Sequence, residues 1–268
     1  MFRSLAIFKL PQRVNVENFI GNEYDLIEVL KDLSRFYETQ KMFRERRRIL
    51  ALISRIKRGT LSFSSPLVTG NILECECNID LSRLIKRKIG ATTETIEQVV
   101  TYTPYIWFRK ETNTLVIIGL SLKTLVNIIV DCLSYKLFNS PGKISRLEIH
   151  MRAFEKIIEI VSAFFEKPGR AFRIILKKAK IGQTLFDEVN IKLSSGLADS
   201  IDAYNMIQKA QLISALTIET PPIGGKKYTI RISKNGEILV YTPIFEPYEL
   251  DNLLLRLEDI FVGIEDIL

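Results

Sequence analysis

The chain has little of what catalytic and metal sites are commonly built from. Its 268 residues include one histidine, three cysteines and one tryptophan. Three cysteines cannot form a disulfide framework, so we expect a reducing, cytoplasmic environment. The densest apolar run, residues 115–122, is far shorter than the about 20 residues that a bilayer span needs, and we expect no membrane segment. Residues 1–10 also lack the apolar core of a signal peptide.

Sequence motifs for nucleotide binding are missing as well. Neither Gly-x-x-x-x-Gly-Lys-Ser/Thr nor Gly-x-Gly-x-x-Gly occurs in the chain. The single histidine, His150, lies between two apolar residues, a setting more typical of structure than of a general base. Cys75 and Cys77 alternate on a predicted strand, and a metal there would need two or more further ligands. We therefore interpret both cysteines as core residues.

Carboxylates are the remaining candidates for catalysis. Glu74 and Glu76 share a face of the same predicted strand, and Asp187 is adjacent to Glu188. Such pairs can hold magnesium or transfer protons, although a solvated face is the more common role. We expect no enzyme activity, no metal and no cofactor.

Charge is what the chain does have. Its net charge is +7 with 47% hydrophobic residues, which is consistent with a globular protein that associates with a polyanion. Residues 1–70 carry thirteen Lys and Arg against seven acids, whereas residues 240–268 carry one Arg against seven acids. This asymmetry predicts one face for an acidic partner and an acidic end for another contact. The 37 isoleucines are a bias typical of thermophilic archaea.

Two stretches of the sequence resemble each other. At an offset of 112, residues 73–82 match residues 185–194, which places Asn78 over Asn190. At an offset of 123, the pattern of strand, polar turn, strand and amphipathic helix recurs, which places Tyr105 over Tyr228. The repeat predicts two related α+β halves. The predicted segments are an N-terminal strand and helix extension (1–65), a first repeat (66–143), a linker helix (144–168) and a second repeat (169–268).

Each half is predicted to have the same order of elements. A first strand is followed by a short helix, a meander of three strands and a closing helix. The predicted short helices are Ser82–Ile89 and Leu197–Gln211, and the predicted closing helices are Leu122–Leu137 and Pro247–Phe261. Asn235-Gly236 is the strongest hairpin signal in the chain. In the extension, we expect a strand at Phe2–Leu10 and a helix over Tyr24–Phe43.

This order resembles the TATA-box-binding protein fold. The resemblance rests on residues 78–85, which look like the family's strand leading into its first helix, and on residues 228–242, which look like its hairpin. It implies a curved antiparallel sheet in two tandem halves, with helices on one face. The family kinks DNA by inserting phenylalanine pairs into the minor groove. The corresponding aromatic candidates here are Tyr105, Trp107 and Phe108, whereas the second half offers Tyr228, Ile230 and Ile232.

Three basic clusters carry the functional prediction. Neutralising several phosphates gives affinity without sequence reading, and an aromatic side chain such as Trp107 can add base stacking. The first cluster is Lys41, Arg44, Arg46, Arg47 and Arg48, the second is Arg83, Lys86, Arg87 and Lys88, and the third is Arg170, Arg173, Lys177, Lys178 and Lys180. We expect these residues to bind nucleic acid, DNA or RNA.

Two functions stay open at this stage. The first is a non-enzymatic nucleic-acid-binding protein built on the two-repeat scaffold. The alternative is a non-catalytic subunit of a larger nucleoprotein complex, of a transcriptional or guide-directed defence type, whose partner does the chemistry. The acidic C-terminal helix, with Glu249, Glu258 and Asp259 turned to water, is the predicted contact for a protein partner.

Overall fold

The structure is a computed structural model. It describes residues 4–11, 23–64, 67–69, 72–90, 92–109, 113–120, 122–149, 151–162, 170–181, 183–193, 201–244, 249 and 252–253. The fold is α+β, as predicted, and all of the strand pairings given below are antiparallel.

The described residues contain fourteen strands and five helices. The strands are β1 (Ser4–Lys9), β2 (Glu23–Asp25), β3 (Arg58–Phe63), β4 (Leu67–Thr69), β5 (Ile72–Ile89), β6 (Thr92–Tyr102), β7 (Tyr105–Arg109), β8 (Thr114–Ile118), β9 (Ser145–Arg146), β10 (Arg170–Ile181), β11 (Thr184–Lys192), β12 (Ala210–Glu219), β13 (Thr229–Ser233) and β14 (Glu237–Val240). The helices are α1 (Leu26–Thr39), α2 (Phe43–Ile53), α3 (Lys123–Phe138), α4 (Met151–Ser162) and α5 (Ile201–Gln208).

The chain divides into two compact units. The N-terminal unit is Phe8–Ser145, and the C-terminal unit combines Met1–Ile7 with Arg146–Leu268. The C-terminal unit includes the start of β1 because Ser4, Leu5 and Ala6 pair with β14. Each unit is described by itself below.

Strand β5 organises the N-terminal unit. It pairs with β3, β4, β6 and β7, while β8 pairs with β7 and β2 pairs with β3. Helix α1 packs on β2, β3 and α3. Its N-terminus is fixed by the Asp25 carboxylate, which accepts hydrogen bonds from the backbone N–H groups of Ile27 (2.8 Å) and Glu28 (3.2 Å). Its apolar face, with Leu30 and Leu33 fully buried, faces the core.

The predicted helix Ser82–Ile89 is wrong. These residues continue β5, whose first ten residues alternate between the core and the surface. The reason lies in the next segment: Thr92–Tyr102 is rich in β-branched residues, forms an eleven-residue strand, and pairs with the second half of β5 from Ile79 to Ile89. Strand β6, which follows the turn at Gly90, provides backbone hydrogen-bonding partners along Ile79–Ile89 and so holds Ser82–Ile89 as a strand.

The predicted helix Tyr24–Phe43 corresponds to α1 (Leu26–Thr39), which is shorter than predicted at both ends. Helix α1 ends at Thr39, and Lys41 has a left-handed backbone with φ of 57° before α2 begins at Phe43. A left-handed residue interrupts the helical hydrogen bonds, so the chain changes direction there. Helix α2 packs against α1 and fully buries Ile49 alone among its residues.

The C-terminal unit has the sheet order β11-β10-β12-β13-β14-β1. The strands β12, β13 and β14 form the predicted meander. The predicted hairpin at Asn235-Gly236 is confirmed. Gly236 has φ of +68°, and a Cβ atom there would lie 3.0 Å from the carbonyl oxygens of Ile7 and Leu147, so the site needs glycine for both reasons. Helices α4 and α5 pack on β10 and β12.

The structure does not confirm the internal repeat at either matched stretch. The hairpins β7–β8 and β13–β14 are both antiparallel, but the offset of 123 does not map one pairing onto the other: Trp107 pairs with Val116, whereas Ile230, at the matching position, pairs with Val240 and not with Leu239. Asn78 and Asn190 are not equivalent. Asn78 lies on β5, which pairs on both sides, whereas Asn190 lies on β11, the second strand of a hairpin, which pairs with β10 alone in the described chain. The offset of 112 was therefore a coincidence of sequence.

Candidate nucleic-acid interface

The second half of β5 and the first half of β6 form a two-stranded arm, defined here as residues 83–98. Beyond Ser82, where β3 ends, β5 pairs only with β6 among the described residues. Seven cross-strand pairs follow, from Arg83–Gln98 to Ile89–Thr92. At about 3.4 Å per residue the paired part is roughly 20 Å long. Nearly all of its side chains are exposed, so the arm is a solvated ribbon.

The arm carries all of the second predicted cluster. Lys86, Arg87 and Lys88 are exposed, and none of them forms an ion pair with another described residue. Arg83 donates hydrogen bonds from Nε (3.2 Å) and Nη2 (3.0 Å) to the side-chain oxygen of Gln98, a neutral partner that leaves its charge in place. The arm therefore presents four cations along one strand that form no ion pair with another described residue, and the Glu94 carboxylate lies in register opposite Arg87.

Glu97 fixes the base of the arm. Its carboxylate accepts hydrogen bonds from Lys57 Nζ (2.8 Å), Arg58 Nη2 (3.0 Å) and the Ser82 hydroxyl. The Lys57 backbone N–H also donates to the Ser82 carbonyl oxygen (2.7 Å). These donors, Lys57 first, lower the pKa of Glu97 to about 2, so the carboxylate is ionised at neutral pH. Glu97 is occupied here and does not neutralise the cations farther along the arm.

The first predicted cluster lies on and just before α2. Arg44, Arg47 and Arg48 are exposed, and Lys41 lies in the turn before the helix. Arg46 differs, because its Nη2 pairs with Glu38 of α1 (2.9 Å). The helix thus has a basic outer surface. Three large apolar side chains on the helix or just before it are also exposed: Met42, Phe43 and Leu50.

A small pocket lies between α1, α2 and α3, and several of the side chains that line it are polar or charged. Its lining includes Tyr37, Glu45, Arg48 and Asp131. Burial raises the pKa of Asp131 to about 6, although the hydrogen bond from Tyr37 and the charge of Arg48 act in the opposite direction. Burial and the neighbouring Asp131 also raise the pKa of the Tyr37 hydroxyl. Arg48 of α2, the helix that carries the first cluster, therefore acts on the protonation of the buried Asp131 carboxyl.

Two residues of the third predicted cluster are paired with acids. Lys177 forms an ion pair with Glu188, and Lys178 forms one with Asp187, both across the β10–β11 hairpin. Lys178 holds down the pKa of the Asp187 carboxyl. Arg173 donates from Nε to the side-chain oxygen of Asn190 (3.0 Å). Lys177 and Lys178 therefore have acidic partners on the neighbouring strand, while the nucleic-acid-binding role of the cluster stays a prediction. The side chains of Arg170 and Lys180 lie outside the described part.

The prediction that Trp107 stacks on bases is wrong. Its side chain is only 6% exposed, because β7 and β8 are covered on both faces. Its neighbours Ile106 and Phe108, which point to the opposite face, are buried as well. An accessible sheet face of the kind that inserts aromatic wedges is absent at these strands.

The remaining chemical candidates give no reactive site among the described residues. Cys75, Cys77 and Cys132 are buried, as predicted for the first two, and burial raises the pKa of each thiol, that of Cys75 to about 12. A thiol that stays protonated is a poor nucleophile and metal ligand. The described part contains no group of three His, Cys, Asp or Glu side chains that could hold a metal. His150 lies outside it.

The acidic C-terminal helix is only partly described. Glu258 and Asp259 lie outside the described residues, as does most of Pro247–Phe261. Glu249 is described, and its predicted exposure is wrong: its side chain is 14% exposed and pairs with Lys226 Nζ at 2.7 Å. This carboxylate holds two parts of the chain together and does not face water.

Sequence reasoning missed the residues that shape the arm. Gln98 and Glu97 were not singled out, because their partners lie on other strands and the helix prediction hid the hairpin. One signal was present: the β-branched run of β6 directly follows Gly90, a residue with φ of +60°, and a strand of that length needs a partner of equal length.

Comparisons with known proteins assign no family. No family model matches the chain, and no curated protein matches it. None of the helices in the described part is long and apolar enough to cross a membrane.

Proposed function

We propose that this chain is a non-enzymatic nucleic-acid-binding protein that contacts phosphates with its β5–β6 arm. One observation carries the proposal: β5 places four cations on an exposed ribbon whose partner strand supplies no ion pair to them. Cations without an acidic partner can replace the counterions around a nucleic acid, and the release of these counterions favours phosphate binding. The exposed arginines of α2 belong to the same compact unit.

The geometry of the arm favours a repetitive polyanion. Lys86 and Lys88 are two residues apart on one face, and Arg83 and Arg87 lie on the other face in register with β6. A regular row of cations on an extended strand matches a ligand with regularly spaced negative charges. Arginine adds a planar fork that can contact phosphate oxygens in pairs.

The proposed mode differs from that of TATA-box-binding proteins. The candidates for a wedge in the first half include Trp107 and Phe108, which are buried, and the corresponding Ile230 and Ile232 of the second half are fully buried. The binding proposal therefore rests on the arm and not on the resemblance.

Binding measurements across a salt series test the proposal. A labelled oligonucleotide is titrated with the wild-type chain, with the arm variant K86A/R87A/K88A and with the matched control R173A/K177A/K178A. We expect the arm variant to lose at least about tenfold in affinity and about two to three units of the salt slope. The control should change affinity by less than about threefold, because two of its cations are already paired. Equal losses, or binding that does not depend on salt, would contradict the proposal.

A second function, that of a scaffold subunit, is favoured by strand β11. Within the described chain β11 pairs with β10 alone, so its outer edge is unpaired, and Leu185 (59%) and Phe186 (41%) are exposed there. An edge strand with exposed apolar side chains can accept a strand from a partner. Co-purification from native cells with the wild-type chain and with L185K/F186S tests this role. A partner lost only with the variant supports it, and an unchanged set of co-purifying proteins contradicts it.

A further inference from the structure

We infer that the arm binds B-form duplex DNA by entering the major groove. The inference rests on the proposed function and specifies the class of nucleic acid and the way the arm contacts it. Four properties of the arm carry it: its composition, its width, the freedom of its edges, and the different chemistry of its two faces.

The composition of the arm disfavours single strands. Residues 83–98 contain no Phe, Tyr, Trp or His. Proteins that bind single-stranded nucleic acid use aromatic side chains as stacking platforms for unpaired bases. A ribbon with cations and no stacking platform is better suited to a ligand whose bases are already stacked on one another.

The width of the arm distinguishes the two kinds of duplex. Two strands lie about 4.8 Å apart, and the arm has no third strand beside it in the described residues. The major groove of B-form DNA, about 12 Å wide, admits a two-stranded β-ribbon, and several DNA-binding proteins use one there. The deep and narrow major groove of A-form RNA does not admit side chains in this way. The dimensions therefore favour DNA.

The two faces of the arm differ. Residues directly opposite in the antiparallel register share a face, so one face carries Arg83, Ile85, Arg87 and Ile89, with Gln98, Ile96, Glu94 and Thr92 across from them, and we call it the arginine face. Arginine, glutamine and glutamate are the side chains that read guanine, adenine and cytosine edges in the major groove. Gln98 already holds the Arg83 guanidinium in position through two hydrogen bonds. The arginine face therefore suits the floor of the groove.

The opposite face suits the phosphates. It carries Lys86 and Lys88, with Thr95 and Thr93 directly across from them. Lysine side chains are long and flexible, and can reach from an outward face to the phosphates at the rim of a groove. This division gives base contacts to one face and phosphate contacts to the other.

Competition and modified DNA provide the test. The full chain is titrated with a 30-base-pair DNA duplex, the same sequence as duplex RNA, and single-stranded DNA. The DNA duplex is then measured with glucosylated 5-hydroxymethylcytosine, which fills the major groove, and separately with netropsin, which fills the minor groove. The arm variant R83K/R87K, which keeps the charge and removes the guanidinium forks, is measured on a pool of randomised duplexes.

We expect the DNA duplex to bind at least about tenfold tighter than the other two forms. Glucosylation should lower affinity at least about tenfold, while netropsin should change it less than about twofold. The variant should keep most of its affinity for random DNA and lose the sequence preference that the wild-type chain shows.

The possible failures separate the two claims. Equal binding of duplex DNA and RNA, or indifference to glucosylation, would overturn the groove inference and leave phosphate binding by the arm intact. Competition by netropsin alone would indicate the minor groove and also overturn it. Absence of salt-dependent binding to all three nucleic acids would overturn the proposed function itself.

Discussion

Each of the two long hairpins of this protein carries several cations on one strand. The hairpins differ in the residues that lie across from these cations on the partner strand. In the arm, β5 carries Arg83, Lys86, Arg87 and Lys88, and β6 offers threonines at the positions opposite both lysines. In the β10–β11 hairpin, Lys177 and Lys178 meet Glu188 and Asp187. The first hairpin keeps its positive charge for a ligand, and the second consumes it in ion pairs.

The difference shows that a basic cluster in a sequence has to be judged with its cross-strand neighbours. The acids that neutralise Lys177 and Lys178 follow them by eleven and nine positions respectively, so a count along the chain between residues 167 and 180 finds no acid. Opposite charges on paired strands stabilise a sheet modestly, and they also remove a surface from phosphate binding.

The largest expected effect comes from giving the arm the acids that β11 has. The variant T93E/T95E places carboxylates opposite Lys88 and Lys86. New ion pairs and two added negative charges should lower affinity for duplex DNA by about 30- to 100-fold at 0.1 M salt, because both phosphate contacts and net charge are lost. Fluorescence anisotropy with a labelled duplex measures the effect.

The matched control for this variant is T93Q/T95Q. It has similar side-chain length without charge, and it should stay within about threefold of the wild type. If T93E/T95E left the affinity unchanged, this face of the arm would not approach the ligand.

The reverse exchange should turn the paired hairpin into a weak binding surface. The variant D187N/E188Q releases Lys177 and Lys178 while keeping side chains of the same size. The net charge rises by two, and we expect affinity to rise about three- to fivefold with a salt slope steeper by about one to two units. The same anisotropy titration measures it, and an unchanged slope would mean that this hairpin lies away from the bound nucleic acid.

Local patterns predicted much of the fold. The predicted strand Phe2–Leu10 appears as β1 (Ser4–Lys9), and the closing helix of the first half, Leu122–Leu137, appears one residue later as α3. Each has a hydrophobic pattern or a clear terminal signal of its own. The hairpin at Asn235-Gly236 was predictable for the same reason, since the turn requires its glycine.

What could not be predicted depends on partners that are distant in sequence. Ser82–Ile89 has the composition of a helix or a strand, and its structure is decided by pairing with β6. Trp107 lies on a strand that pairs on both sides and is buried on both faces, which a single alternating pattern does not reveal. The second cluster could be identified by its charges. Its position on an exposed two-stranded arm could not be predicted, because this depends on β3 pairing with β5 no farther than Ser82.

A smaller effect is expected at the base of the arm. In E97Q, the side chain loses the charge that attracts Lys57 and Arg58, although its size is unchanged. We expect the backbone N–H groups of residues 83–98 to exchange hydrogen about three- to tenfold faster, with β7 and β8 unaffected, because the arm opens more often. DNA affinity should fall about two- to threefold, since a less ordered arm loses more entropy on binding.

The control for this variant is E94Q, which removes the other carboxylate of the arm. Glu94 forms no ion pair among the described residues, so exchange rates should stay near those of the wild type. Affinity should rise slightly, because one negative charge next to Arg87 is gone. Similar exchange in both variants would indicate that Glu97 does not anchor the arm.

The smallest effect on binding is expected from Asp131. This residue also makes the stability of its unit depend on pH in a different way from Asp187 in the other unit. Its pKa is raised from 3.8 to about 6, so the folded state prefers the protonated carboxyl, and the stability this gives is present below pH 4 and lost as pH rises through 6. In the C-terminal unit, the pKa of Asp187 is lowered, so its contribution is present above pH 4 and lost only at lower pH. Between pH 5 and 7, Asp131 should alter the stability of the arm-bearing unit, whereas Asp187 should leave that of the C-terminal unit unchanged.

The variant D131N tests this directly. Asparagine keeps an oxygen that can accept the Tyr37 hydrogen bond and removes the charge whose burial is unfavourable at neutral pH. We expect the free energy of unfolding in urea to rise by about 1 kcal/mol at pH 7.5, and to be equal to or below that of the wild type at pH 4.5. DNA affinity at pH 7.5 should stay within about twofold, because Arg48 keeps its charge. A variant less stable at pH 7.5 would mean that the attraction between Asp131 and Arg48 outweighs the burial of the carboxylate.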